Sequence, residues 1–256
     1  MSEIQTILIT GANRGIGRGL TTVFLQKPST TVIATVRDLS NESSKTLADL
    51  PKAENSRLIL VKLDVAVESD PATAAETLRK EHGIESLDVV VANAGISKDA
   101  KSVKEGSVSS ITEHFAINTI GPVLLFQATE PLLKASKSGR PTFIAITSLF
   151  GTIGGLEFFK SLPPILGPYG ASKAALNWFM RRIHFEEDWL ISFVLSPGLV
   201  QTDMSEETFG GNGVDPSQFG VITVEQSVTD LAERITTATK EDGGTFRDHD
   251  GKPLPW

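Results

Sequence analysis

The chain has 256 residues, with 24 Lys and Arg against 31 Asp and Glu for a formal charge of −7, four His and no Cys. Without cysteine there is no disulfide framework, zinc ribbon or thiolate nucleophile, and scattered histidines offer no ligand pair, so no metal is expected; an acidic balance without a basic stripe argues against nucleic acid. No apolar run approaches the length of a membrane span and the first residues lack a signal-peptide pattern, so a cytoplasmic protein with no membrane partner is expected.

A hydrophobic fraction of 40% with 21% charged residues suits one large globular core. In chain order, β-branched runs near 4–10 (IQTILIT), 31–36 (TVIATV), 57–63 (RLILVKL), 87–92 (LDVVVA), 141–147 (PTFIAIT) and 190–196 (LISFVLS) predict strands, with a short seventh near 243–248. They are nearly continuous in apolar residues, as strands covered on both faces are. Amphipathic stretches at 15–27, 43–50, 70–82, 107–136, 169–187 and 224–240 predict the intervening helices, with Pro131 kinking the fourth or marking its end. The alternation predicts an α/β fold: a single doubly wound Rossmann-type domain over 1–256, built on a largely parallel sheet of about seven strands with helices on both faces. Segments 149–168 and 203–222 read as long irregular connections rich in Gly and Pro, a length that usually has a function.

In such a sheet ligands bind beyond the carboxyl ends of the strands, so the residues at those ends decide the reading. The first strand runs into TGANRGIG at 10–17. Gly11 suits a tight turn, Gly15 and Gly17 permit close backbone approach to a pyrophosphate and to the sheet, and the helix that follows offers free N–H groups around Asn13, Arg14 and Ile16. Three glycines alone would equally fit a plain strand-to-helix turn; their place after an N-terminal strand favours phosphate. The second strand ends at Arg37 and Asp38. A cation there, with Arg14, points to a 2′-phosphate and so to NADPH, while Asp38 would serve an unmodified ribose if the strand ended one residue later; both arginines could instead be solvated surface charges. Asp64 and Val65 close the third strand, and Asn93, Ala94 and Gly95 the fourth. These are also common turn residues; facing the same crevice makes them cofactor contacts. Ser148 ends the fifth strand, and Tyr169 and Lys173, four apart, project from one face of the next helix. Such a pair is often packing or a solvated charge, and it becomes a catalytic set only through the neighbouring serine and the upstream nucleotide turn.

In order and over essentially the whole chain, TGANRGIG at 10–17, NAG at 93–95, Asn118, Ser148, YGASK at 169–173 and PG at 197–198 resemble the short-chain dehydrogenase/reductase family. The stretch 169–204 and the terminal GTFRDHDGKPLPW are similar to its fungal ketoreductase and carbonyl reductase branch. The resemblance implies Asn118, Ser148, Tyr169 and Lys173 as the catalytic tetrad, Asn118 anchoring a water that links Lys173 to solvent. It implies bound NADPH or NADP+, with Tyr169 and Lys173 among its contacts, Pro197 and Gly198 beside the nicotinamide, and Val200 and Thr202 at its carboxamide. It also implies a homodimer or homotetramer built on the long fourth and fifth helices. Residues 149–168 separate Ser148 from Tyr169 by more than the family usually has.

The resulting expectation is an NADPH-dependent ketoreductase that reduces an apolar or aromatic ketone, such as a polyketide-type secondary metabolite, to a secondary alcohol. The cofactor carries the hydride. Tyr169, with an ordinary pKa of about 10, is the acid, the Lys173 ammonium is expected to lower that pKa, and Ser148 hydrogen-bonds the carbonyl oxygen. Two readings stay open beside it: an NADP-dependent alcohol dehydrogenase running in the oxidative direction, and a non-catalytic NADP(H)-binding sensor or scaffold. The apolar loop 149–168 either lines a substrate pocket or closes onto the core. The segment near 203–222, with Gly210, Gly211 and Gly213, reads as a lid or as disorder. His82, His114, His184 and His249 read as surface or packing residues, and Trp178, Phe179 and Ile183 as a helix packing face.

Overall fold

The apolar runs form β1 (Thr6–Thr10), β2 (Thr31–Val36), β3 (Arg57–Lys62), β4 (Val89–Ala92), β5 (Thr142–Ile146), β6 (Ile191–Ser196) and β7 (Phe246–Asp248). This computed structural model describes residues 6–160, 162–209 and 220–256. The strands pair in parallel as one seven-stranded sheet in the order β3-β2-β1-β4-β5-β6-β7. The order reverses between β1 and β4, which opens a crevice beyond their carboxyl ends.

Alternate strand residues supply two cores. Leu8, Ile33, Val90, Phe143 and Val194 face α3 (Asp70–His82), α5 (Gly121–Lys134) and α6 (Gly167–Glu186), where Leu78, Leu125, Leu176 and Met180 pack. Ile9, Val32, Val91, Ile144 and Phe193 face α1 (Gly15–Leu25) and α8 (Val224–Thr237), where Leu20, Phe24, Leu231 and Ile235 pack. A strand with both faces covered leaves little room for polar side chains, which is why the runs are mostly apolar, with small residues such as Thr35 and Ser192 as buried exceptions. No helix among the described residues is long and apolar enough to cross a membrane.

Three expected elements come out differently. The long helix over 107–136 is interrupted: α4 (Val108–Phe115) passes through a π-helical turn at Ala116–Ile120 before α5 begins. Pro122 supplies no N–H to the carbonyl four residues earlier, and the widened turn accommodates the loss. Pro131 falls in the last turn of α5, close to its end. The stretch over 43–50 is helical only at α2 (Glu42–Lys45), started by Asn41, whose side chain accepts from Ser43 N–H. The segment 203–222 is not irregular throughout. It opens with α7 (Asp203–Phe209), begun by reciprocal bonds in which Thr202 N–H donates to Ser205 Oγ and Ser205 N–H to Thr202 Oγ1. Gly210, Gly211 and Gly213 lie outside the described residues. The other long connection, 149–168, carries 3₁₀ turns at Leu149–Gly151 and Leu156–Phe159 and is tied to the chain terminus through Thr152 Oγ1–H to Pro255 O at 2.7 Å.

Helix α1 lies close to α8 because Gly19 has no side chain: a Cβ there would fall 2.5 Å from Val228 Cγ2. Gly19→Ala should therefore destabilise the protein by about 1–3 kcal/mol through overpacking, and Val228→Ala in the same chain should recover part of it. Additive losses in thermal denaturation of the double variant would show that the two positions do not touch.

Candidate active site

Beyond β1 the chain turns through Gly11 (φ +64°) and Gly15 (φ +51°), backbone conformations that favour glycine. Gly17 is required for another reason: a Cβ on it would lie 2.2 Å from the Gly11 carbonyl oxygen and 2.6 Å from Asn93 Nδ2. Arg14 stands at the N-cap of α1 with extended backbone and no side-chain bond to the first turn, and that turn holds no acidic residue. The first amides of α1 are thus left for an anion at the positive end of the helix dipole. They open on a cavity of about 830 Å³. Of the residues expected to contact a cofactor, all but Gly198 and Val200 line this cavity; those two line a second one.

At the tip of β2 the structure separates the two candidates. Arg37 is exposed and lines the cavity. Asp38 does not; it accepts from Ser40 Oγ at 2.6 Å and from Ser40 N–H at 2.8 Å, bonds that hold its carboxyl below the usual carboxylate range. Arg18 also lines the cavity, one helical turn beyond Arg14, and donates to Thr46 Oγ1 at 3.1 Å and to Ser43 O. Sequence reasoning missed it, although its spacing of four from Arg14 puts both cations on one helix face. Asn13 joins the same corner through Nδ2 to Ser43 Oγ at 2.8 Å. Arg14 itself lies 3.7 Å from Asp203 at the start of α7, across the cavity mouth. Asn93 works as a brace, donating through Nδ2 to Thr10 O at 2.8 Å, while Thr10 Oγ1 accepts from Asn93 and Ala94 N–H, both at 3.0 Å.

Tyr169 and Lys173 project from the first turns of α6, and Ser148 follows β5. The three are brought together: Ser148 and Tyr169 line one cavity, and Lys173 Nζ lies 5.9 Å from the Tyr169 ring centre. Lys173 is buried and donates to Ile146 O at 2.8 Å. Burial pushes its ammonium down to about 8. The expected lowering of the phenol by Lys173 is not what the structure gives: burial raises Tyr169 above its ordinary value, and the opposing pull comes from Ser148. Asn118 is fully buried in the π turn with its side chain committed, Oδ1 accepting from Ile96 N–H at 2.8 Å and Nδ2 donating to Ile96 O at 2.9 Å and Ser172 Oγ at 3.0 Å. It stands behind Gly95, where a Cβ would fall 3.1 Å from Asn118 Oδ1 and 3.6 Å from Lys173 Nζ.

The second cavity, of about 390 Å³, is lined by Ser148 and meets the first at Ile16, Tyr169, Pro197, Thr202 and Met204. The 149–168 loop supplies much of its wall: Phe150 and Phe159 stack with centroids 4.4 Å apart and line it with Phe158, Leu162 and Leu166, while Phe209 closes in from α7. His249 lines it too, which corrects its reading as a surface or packing residue. His114 is a packing residue as expected, buried between Ser110 O at 2.8 Å and Lys98 N–H at 3.2 Å, with its ring edge-on to Tyr169. Of the supposed packing face on α6 only Ile183 is buried; Trp178 and Phe179 are exposed, because the helix turns that side away from the sheet.

Residues 5–212 match the short chain dehydrogenase family. The chain belongs to that family. It is 46% identical to norsolorinic acid ketoreductase of Dothistroma septosporum over 100% of this chain and 94% of the relative. It is 41% identical to norsolorinic acid ketoreductase of Aspergillus parasiticus over 99% of this chain and 92% of the relative. The fold superposes with a TM-score of 0.84 on the NADPH-bound carbonyl reductase from chicken fatty liver, 30% identical and covering 100% of both chains. The narrower branch expected from the 169–204 stretch and the terminal residues is thereby the one the relatives occupy, and this member of the family is an oxidoreductase of the ketoreductase and carbonyl reductase kind.

Holding Lys173 with a pKa near 8 instead of 10.5 costs the folded state about 3 kcal/mol at neutral pH. Between those values the unfolded chain binds the proton that the folded chain has released, so stability rises with pH across that window. The cofactor-free Lys173→Met protein should melt at a higher temperature than the wild type at pH 7, with the gap narrowing from pH 8 to 10.5. A gap that does not change with pH, measured by calorimetric scans, would refute the assignment.

Proposed function

We propose that the protein is an NADPH-dependent ketoreductase that reduces an apolar or aromatic ketone to a secondary alcohol, with Tyr169 as the general acid. The observation that carries this reading is the meeting of the two cavities at Tyr169, with Ser148 in the wall of the smaller one. NADPH bound in the larger cavity supplies the hydride. The amides at the start of α1 would hold its pyrophosphate, Arg37 and Arg14 its 2′-phosphate, Tyr169 and Lys173 the nicotinamide ribose, and Val200 and Thr202 the carboxamide. The chemistry of these donors fits the group: a cation faces the cavity where Asp38 is turned away.

For the ketone, Ser148 Oγ donates to the carbonyl oxygen and stabilises the charge that gathers there. Tyr169 passes its proton to the same oxygen as the carbonyl carbon is reduced, which leaves an alcohol and a tyrosinate. A water held at the Asn118 main-chain carbonyl, which Pro122 deprives of a helical donor, relays a proton back from solvent to the tyrosinate. The aromatic walls built by Phe150, Phe159 and Phe209 suit a flat, apolar ketone of the kind for which the two relatives are named. Exposed Trp178, Phe179 and Phe185 on α6 offer a surface for a homodimer or homotetramer.

Tyr169→Phe should still bind NADPH, weakened by no more than about 10-fold through the lost ribose contact, and lose ketone-dependent NADPH oxidation by about 10²–10⁴-fold; near-normal turnover would remove Tyr169 as the acid. Arg37→Ala should weaken NADPH by about 10-fold or more and leave NADH almost unchanged. Equal effects on the two dissociation constants would remove the argument from the β2 tip.

A further inference from the structure

Among the aromatic and aliphatic walls of the smaller cavity stands one imidazole, that of His249. It is gripped along one edge. Nδ1 lies 2.7 Å from Asp230 Oδ2 on α8, and the other oxygen of that carboxylate accepts from Gln226 Nε2 at 2.8 Å. A carboxylate only accepts, so Nδ1 carries a proton, and in the neutral ring Nε2 is left with its lone pair. Both side chains are largely enclosed, at 19% and 20% exposure. The backbone beneath the ring is fixed as well: His249 N–H donates to Asp248 Oδ1 at 3.0 Å, and Gly251 N–H and Asp248 N–H close the turn. The Nε2 edge faces Gly198, where a Cβ would come within 2.8 Å of Cδ2 and 3.3 Å of Nε2. Gly198, which lines the same cavity, has no side chain to cover this edge. Among the described residues Nε2 has no hydrogen-bond partner.

We propose that His249, oriented by Asp230, is a second polar anchor for the substrate: Nε2 accepts a hydrogen bond from a hydroxyl on the aromatic part of the ketone, away from the carbonyl addressed by Tyr169 and Ser148. This rests on the ketoreductase reading of the cavity and deepens it, because it makes hydroxylated aryl ketones the preferred class over their unsubstituted parents. A cavity wall of phenyl rings binds either by area alone; one fixed acceptor discriminates between them, since a buried acceptor without its donor is penalised.

The test compares kcat/KM with NADPH for 2-acetonaphthone and for acetonaphthones carrying one hydroxyl at successive ring positions. At least one hydroxylated ketone should exceed the parent by about 10-fold or more. His249→Leu should bring that ratio to about one, and His249→Gln, whose amide oxygen keeps an acceptor near the same place, should retain part of it. A wild-type ratio of one at every position, or a ratio that survives His249→Leu, overturns the proposal. Failure of the wild type to turn over any of these ketones counts against the ketoreductase reading instead. Calorimetric binding of the same ketones to the NADP+-saturated wild type and His249→Leu proteins then still decides the hydroxyl preference.

Discussion

Everything at the active end of the sheet depends on how closely the first turn of α1 approaches the tips of β1 and β4. Gly17 sits where a Cβ would overlap the Gly11 carbonyl, and the Asn93 amide fills what space remains. Thr10 Oγ1 accepts from two successive N–H groups of the β4 tip, and Asn93 returns a bond to Thr10 O. Because the two strand ends and the helix are locked by main-chain contact, the amides at the start of α1 point into the crevice in one fixed arrangement. A preformed set of donors has no reorganisation to undergo when an anion arrives.

The same closeness governs the reactive group. Gly95, just past the β4 tip, leaves room for Asn118 and Lys173 to lie near each other, and Asn118 is held from both ends by Ile96 and by Ser172. Ser172 belongs to the helix that carries Tyr169 and Lys173, so the π turn and the start of α6 move as one body. Burial works against both titratable groups, raising the phenol and lowering the ammonium. Stability is given up here, because burial disfavours the charged form of each group.

The smaller cavity is assembled from parts of the chain far apart. Phe150 and Phe159 come from the loop after β5, Phe209 from α7 and His249 from the end of β7. Thr208 Oγ1 reaches Ser97 Oγ at 2.9 Å, which ties α7 to the loop after β4. The apolar stack and the polar groups therefore come from independent segments, and such segments can vary without disturbing the cofactor end. The shape of the smaller cavity is set by how these loops meet rather than by any one of them.

The amino-acid order by itself was enough for the parallel sheet, the glycine turn and the Ser148, Tyr169 and Lys173 set. Strands covered on two faces are apolar at most positions, a turn with positive φ admits glycine, and residues four apart share a helix face; all three constraints act within a few residues. Only the tertiary structure decided which of Arg37 and Asp38 faces the cavity, that the helix over 107–136 passes through a π turn at Asn118, that 203–209 is helical, and that the 149–168 loop and His249 line the smaller cavity. Those outcomes turn on partners distant in the chain, Ile96 and Ser172 for Asn118 and Asp230 for His249, or on competition between local bonds of similar strength, such as the one by which Ser40 captures Asp38. Composition and spacing carry no record of which partner arrives, because that is a property of packing in three dimensions.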